Sequence, residues 1–416
     1  MGTVNMVLIG AGSRGMDTYG QFALRNPHKV KFVAVAEPDD QRRELFCKKH
    51  GIGKEMQFTS WEELMSKPRL CEAALIGTQD QMHYKPTVAA LEKGYDVLLE
   101  KPMSNSLEEC RGMAAKAEEK GRFLIVCHVL RYTPFFSIIK EIVDKGSIGE
   151  IISVQHNENV GFWHQAHSFV RGNWRNSNES SAMILAKCCH DMDILSWLIG
   201  RKCMKISSFG SLTLFKRENA PEGSTDRCTD GCEAEGDCPF SAPKFYLGNT
   251  GWPTNVVSSD TDYEHVLKAL KEGPYGRCVY KCDNNVVDHQ VVNMEFEGGA
   301  TVAFTMCAFT KDCSRTIKIM GTLGEIRGCM EKGEIELIRF NSSISETFQI
   351  NTGEGHSGGD DGLMNAFIDQ LKSGQSNRAT TSAKASLQSH IMAFAAERSR
   401  VEQRTIDMEE FLDGGK

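Results

Sequence analysis

The feature that most constrains the fold is a repeated change of period in the first third of the chain. Short, continuously apolar runs at Val4–Ile9, Val30–Ala36, Ala73–Ile76, 97–99 and 123–127 alternate with stretches of helical spacing such as 85–93 and Leu107–Lys120. A strand that is apolar on both sides is buried on both sides. Helices must then cover both faces of its sheet, and the strands run parallel. In such sheets ligands bind beyond the carboxyl ends of the strands, so the residues immediately after each run are informative. Gly10-Ala11-Gly12-Ser13-Arg14-Gly15 comes after the first run and Glu37 after the second. Thr78, Asp80 and His83 come after the third, Glu100-Lys101-Pro102 after the fourth, and His128 and Arg131 after the fifth. The unusual polar chemistry gathers on one edge.

The glycine run opens a helix directly after a strand, which is where a backbone can approach a pyrophosphate at a helix N-terminus. Gly10, Gly12, Ser13, Arg14 and Gly15 are therefore candidate cofactor contacts. Glu37 would accept hydrogen bonds from an adenosine ribose and repel a 2′-phosphate, which favours NAD over NADP, with Arg14 partly offsetting it. A nicotinamide carries no acid or base of its own, so oxidation of a carbinol needs a protein group to take the hydroxyl proton. Lys101, ending an apolar strand in a proline-fixed turn, is the candidate.

Composition excludes several partners. Forty-eight basic against 55 acidic residues leave a net charge of −7, with no global attraction to nucleic acid or anionic lipid. No apolar run approaches the roughly 18 residues of a membrane span, and the glycine-broken N-terminal run is too short for a signal peptide. Fifteen cysteines in that setting point to a reducing, cytoplasmic compartment.

With these residues in view, the chain resembles the glucose–fructose oxidoreductase / inositol dehydrogenase / MocA (Gfo/Idh/MocA) oxidoreductases. The resemblance rests on GAGSRG, GTQDQMH, LLEKPMSNSLEE, VLRYTPFF, GNWRN, KCCHDMDILSWLIG and AAERSR, and it covers essentially the whole chain. It implies an NAD-binding Rossmann domain over 1–128 and an α+β domain over 129–416. That second domain would carry a large, mostly antiparallel open sheet, with the C-terminal helices (about 360–400) packing back on the nucleotide domain. It also implies that Lys101 is catalytic, that Glu100, Thr78 and His83 lie by the nicotinamide, and that His190 faces substrate. Asp80 and Arg131 complete the expected cofactor set.

Residues 184–200 read as one helix that aligns Ala186, His190, Asp193 and Trp197 on a face. Many family members carry Asp at the position of Ala186, where it orients the histidine. Without it, Lys101 is expected to accept the proton and His190 to bind a hydroxyl or relay. Neighbouring Lys187 would disfavour a second positive charge. Trp163, His164, His167, Arg171, Trp174 and Arg175 form an aromatic and basic cluster suited to a sugar, whose ring has apolar faces and polar rims. Of these, Trp163, His164, Trp174 and Arg175, with Lys187, Lys101 and His190, are the expected substrate contacts.

Beyond residue 200, alternating runs at 204–215, 288–296, 301–309, 316–320 and 334–340 read as strands. Residues 219–260 form a loop-rich insertion in which Cys228, Cys232 and Cys238, with Cys278 and Cys282 downstream, could hold a structural zinc. Reduced thiols packed as small hydrophobes are the alternative. His356 precedes a helix over 363–371, with Asp360 as its N-cap; it could reach the substrate if that loop folds toward the cleft, and with His164 and His167 it could supply the second base that a hydrolase needs.

The expected activity is NAD-dependent oxidation, or the reverse, of a secondary alcohol of a sugar, glycoside or cyclitol. The alternatives are an NAD-dependent glycoside hydrolase using transient oxidation, elimination, hydration and re-reduction, or a non-catalytic NAD-binding sensor. A homodimer or homotetramer is expected, since a broad open sheet needs covering.

Overall fold

The computed structural model describes residues 2–351, 354–374 and 380–414. Strands β1 (Val4–Ile9), β2 (Val30–Ala36), β3 (Gln57–Phe58), β4 (Ala73–Ile76), β5 (Asp96–Leu99) and β6 (Leu124–Val126) form a six-stranded sheet in the order β3-β2-β1-β4-β5-β6. Every neighbouring pair is parallel. The apolar runs are strands because both faces are covered. Met6 and Leu8 point into one core with Phe22 and Phe46, while Val7 and Ile9 point into another with Leu91 and Tyr95. Helix boundaries follow local chemistry: Ser106 caps Leu107–Lys120 by accepting from the Glu109 N–H, and Gly121 closes it in the left-handed region. Strand order reverses between β1 and β4, the switch point beside which such sheets bind ligands.

The second sheet comprises β7 (Ile151–Asn159), β8 (Cys203–Ser211), β9 (His289–Phe296), β10 (Thr301–Cys307), β11 (Ser314–Gly321), β12 (Gly324–Cys329), β13 (Glu334–Arg339), β14 (Glu346–Gln349) and β15 (Ile406–Asp407). Its nine strands run in the order β14-β13-β12-β11-β7-β10-β9-β8-β15. The neighbours β8/β9, β9/β10, β12/β13, β13/β14 and β8/β15 are antiparallel, and β7/β10 is parallel.

The chain divides into two compact units that do not follow chain order. One holds residues 1–151, 189–202 and 320–394; the other holds 152–188, 203–319 and 395–416. In the first, the helix Gly359–Ser373 contributes Leu363, Met364, Phe367 and Ile368 to the same core as Met6, Leu8 and Phe22. The helix expected over 184–200 is interrupted. Met183–Ala186 ends, the chain turns at Lys187 and Cys188, and a new helix runs Cys189–Ile199. Periodicity alone bridges such a break because the apolar positions continue across it. Among the described residues no helix is long and apolar enough to cross a membrane.

Candidate active site

The loop between β1 and the first helix is shaped by three glycines. Gly10 sits at φ 92°, and a Cβ there would lie 2.7 Å from the Gly77 carbonyl oxygen. A Cβ on Gly15 would collide with the carbonyl of Gly10. Gly12 differs: among the described residues, its chain neighbours apart, nothing lies within 4 Å of where its Cβ would stand. The chain folds tightly around Gly10 and Gly15 and leaves open space at Gly12, beside the exposed Ser13. An open cradle at a loop that begins a helix fits the pyrophosphate of a dinucleotide. Glu37 is buried at the end of β2, accepting from the Ala11 N–H at 2.7 Å and the Asp39 N–H at 3.0 Å. Each carboxylate oxygen keeps a second lone pair for a ribose hydroxyl.

Arg14 is not beside Glu37 as an offsetting charge. Its Nε lies 2.6 Å from Glu100 Oε1 and its Nη2 2.7 Å from Asp360 Oδ1, while Nη2 also donates to Tyr19 Oη at 2.7 Å. Tyr19 in turn donates to Glu100 at 2.5 Å. A guanidinium with a carboxylate on each side is committed. Burial alone would raise the Glu100 carboxyl, but Arg14, the Tyr19 hydroxyl and Lys101 outweigh it and hold the group below its ordinary range. Asp360 is likewise held low: burial opposes ionisation, and Arg14 and His356 prevail. Asp360 is therefore no N-cap. Gly358 occupies that position, and the Asp360 carboxylate turns to Arg14 and His356.

Lys101 leaves β5 in a cis peptide to Pro102, its backbone N–H donating to Glu100 Oε2 at 2.9 Å. Its charge acts on Glu100, His128 and Cys189. His83 is buried with its ring nitrogens 2.8 Å from the Pro102 carbonyl and 3.1 Å from the Thr78 carbonyl. Its ring thus ties the lysine's turn to the loop after β4. Asp80, also buried, opens the short turn Asp80–Met82 beneath it. The Thr78 hydroxyl is buried and makes no hydrogen bond among the described residues, so it is available to an incoming polar group.

Behind Lys101 lies a group of imidazoles. The His128 ring is 5.6 Å from that of His190 and 5.4 Å from that of His390, and His190 is 6.1 Å from His356. His390 accepts from the Met103 N–H at 2.8 Å and donates from Nδ1 to Ser386 O, which fixes its tautomer. Burial drives His128 down to about 4 and His390 to about 3, so both are neutral near pH 7. Arg131, expected among the cofactor contacts, is engaged within the protein. It forms a bidentate pair with Asp193, both contacts at 2.6 Å, with Nη1 donating to the Thr380 carbonyl. An acid three residues after His190 captures the arginine because both are buried and each needs the other's charge.

Sequence reasoning missed Tyr19, Asp360 and His390 as site residues, and offered His356 only as a loop residue that could reach the substrate. His356 and Asp360 had one visible signal, a glycine-rich run ahead of a helix. No local pattern marks the other two.

In the second unit, Trp163 stacks on His164 with centroids 5.5 Å apart, and Trp252 meets both edge-on at 5.5 and 5.2 Å. Trp174 lies against Phe169. His167 and Arg171 are buried and structural. His167 bonds Tyr246 Oη at 2.8 Å, and Arg171 donates to the Arg277 and Phe240 carbonyls at 2.7 Å each. Arg175 is occupied by Asp283, at 2.8 and 2.9 Å, and Glu179. Lys187 lies 3.2 Å from Glu158, which also pairs with Arg315, so the lysine's charge is compensated.

The zinc expectation fails. Among the described residues the one set of three or more potential ligands within 4.8 Å is Asp260, Asp262 and His265, all exposed, and it contains no sulfur. Cys228, Cys232, Cys238 and Cys278 instead border a small cavity with Phe240 and Tyr280. Burial raises the thiols of Cys238, Cys278 and Cys282, which favours the protonated form over the thiolate a metal needs.

Residues 4–128 match the oxidoreductase family with an NAD-binding Rossmann fold, and residues 140–408 match that family's C-terminal α/β domain. The chain belongs to the Gfo/Idh/MocA oxidoreductase family. It is 23% identical over 386 residues to the putative oxidoreductase YteT of Bacillus subtilis, covering 86% of this chain and 87% of that one. Over 203 residues it is 25% identical to the 2,7-anhydro-N-acetylneuraminate hydratase of Mediterraneibacter gnavus, covering 48% of this chain and 50% of the relative. Its fold is similar to that of levoglucosan dehydrogenase in complex with NADH, with a TM-score of 0.73 at 17% identity, covering 98% and 99% of the two chains.

Proposed function

We propose that the protein is an NAD-dependent dehydrogenase that oxidises, or in reverse reduces, a secondary alcohol of a sugar, glycoside or cyclitol. The observation that carries this reading is the joining of the nucleotide loop to the strand-end lysine through one network: Arg14 of the glycine loop holds Glu100, and Glu100 holds the backbone of Lys101. NAD, when bound, supplies the hydride acceptor. Gly10, Gly12, Ser13 and Gly15 shape the phosphate cradle, and Glu37 takes the adenosine ribose. A 2′-phosphate would place its charge against that carboxylate with Arg14 engaged elsewhere, which supports NAD over NADP. The buried Thr78 hydroxyl, unused among the described residues, offers a hydrogen bond on the nicotinamide side. Lys101 takes the proton of the substrate hydroxyl, and His190 binds the hydroxyl or passes the proton on. Within the second unit by itself, Trp163, His164 and Trp252 present aromatic faces of the kind that carry a sugar ring.

The test is to supply NAD with a panel of sugars, cyclitols and aryl glycosides while following NADH and aglycone together. Net NADH without aglycone is expected. Lys101→Met should lower turnover by about 100-fold or more while NAD still binds, the scale of a lost proton-transfer group; unchanged turnover would overturn the assignment. A second reading, the redox-neutral hydrolase, is favoured by His356, which supplies another imidazole beside His190. It predicts aglycone release with no net NADH.

Two further features belong to the proposal. Exposed apolar residues on the second sheet, Ile152 on β7 and Phe209 on β8, support a homodimer or homotetramer, which sedimentation velocity would detect. Fifteen free thiols support a reducing, cytoplasmic setting.

A further inference from the structure

We propose that His356, held by Asp360, is the outlet through which the site exchanges protons with solvent. The inference rests on the hydride-transfer reading above. With NAD as the hydride acceptor, each oxidation would leave one proton on the protein, and that proton would have to reach water before the next turnover. His190 is only 4% exposed and cannot deliver it directly. The side chain of His356 is 42% exposed, and its ring centroid is 6.1 Å from that of His190, near enough for a hop between ring edges or across one water.

Asp360 supplies what Ala186 does not. Its Oδ2 lies 3.0 Å from His356 Nδ1, which orients the ring, leaves Nε2 as the exchanging nitrogen, and steadies the imidazolium that forms in passing. Arg14, on the far side of Asp360, keeps that carboxylate ionised. The charged and titratable groups around the outlet are thus Asp360 and Arg14 on one side and His190, backed by His128, on the other.

The backbone carries a second, independent sign. His356 and Ser357 stand at φ 44° and 54°, followed by Gly358 at 84°. Two consecutive non-glycine residues in the left-handed region are strained and persist only where neighbours hold them. Here Asp360 is clamped by Arg14, and Gly359 packs so closely on the Val129 carbonyl that a Cβ would collide with it. The strain aims the imidazole.

His356→Asn and His356→Gln remove the relay, and near-UV circular dichroism would verify that each folds. In the protein alone, labelled with 15N-histidine and without cofactor, exchange of the His190 ring N–H with solvent should slow at least about tenfold in both variants. Exchange at the unaltered rate would overturn the proposal. With NAD and a turned-over sugar alcohol, proton release to an indicator dye should lag behind NADH formation in the variants, and added imidazole should abolish the lag. Release in step with NADH would likewise overturn it. If no substrate yields NADH, the dehydrogenase reading fails, while the exchange rate of the free protein still decides the relay.

Discussion

At the scale of single residues, the glycine loop separates two kinds of constraint. Gly10 is required by its backbone, and an alanine there would strain the loop whether or not a nucleotide is present. Gly12 is constrained by nothing among the described residues. Gly12→Ala is therefore expected to leave the thermal midpoint unchanged while weakening NAD binding by about tenfold or more, roughly 1.4 kcal/mol. Titration calorimetry beside a melting curve checks this, and equal affinity would show that the space is not the cofactor's. The motif made the loop readable in the sequence, but not the direction of its one charged side chain. Adjacency to the glycines suggested that Arg14 stands by Glu37. Two carboxylates distant in sequence, Glu100 and Asp360, attract it instead, and no local pattern encodes such a choice.

At the scale of elements, the Arg131–Asp193 pair ties the turn after β6 to the helix Cys189–Ile199. Both side chains are almost wholly buried, at 6% and 1% exposure, so removing one charge strands the other. Asp193→Asn should lower stability by about 3–5 kcal/mol, read as a lower melting midpoint in the protein without ligand. A change near zero would mean that water reaches Arg131. Which elements were legible depends on what their buried faces contain. The parallel strands were plain because their buried residues are apolar throughout. Strand β7 was not, because two of its inward residues are His156 and Glu158, buried polar groups that erase the hydropathy alternation. Strand β3 is two residues long and offers no pattern at all. The Lys101 turn could be found from its proline and its place after β5. The glycine-rich loop marked His356, but not its pairing with Asp360 or its approach to His190, a neighbour more than 160 positions away.

For the molecule as a whole, buried imidazoles set the response to acid. His128 is lowered to about 4, and His390 and His167 to about 3, in each case chiefly by burial. In the unfolded chain these groups bind protons from about pH 6.5 downward. Between pH 6.5 and 4 the unfolded state therefore holds more protons than the folded one, and stability falls as the pH is lowered. His128 alone contributes on the order of 3 kcal/mol across that window. The depressed carboxylates Glu100, Asp193 and Asp360 add their loss only below about pH 4. The melting midpoint should thus decline steadily from pH 6.5 to 4.5; a flat profile would show that the imidazoles are hydrated.

The helix Gly359–Ser373 completes one face of the core that covers the parallel sheet. A ribosome that has released only the first 128 residues has made every strand of that sheet, yet Met6, Leu8 and Phe22 still lack Leu363, Met364, Phe367 and Ile368. The nascent nucleotide module must wait, greasy on one side, while more than two hundred further residues are translated. That interval makes the growing chain a client for chaperones, and it argues against expressing the first 128 residues as a stand-alone fragment.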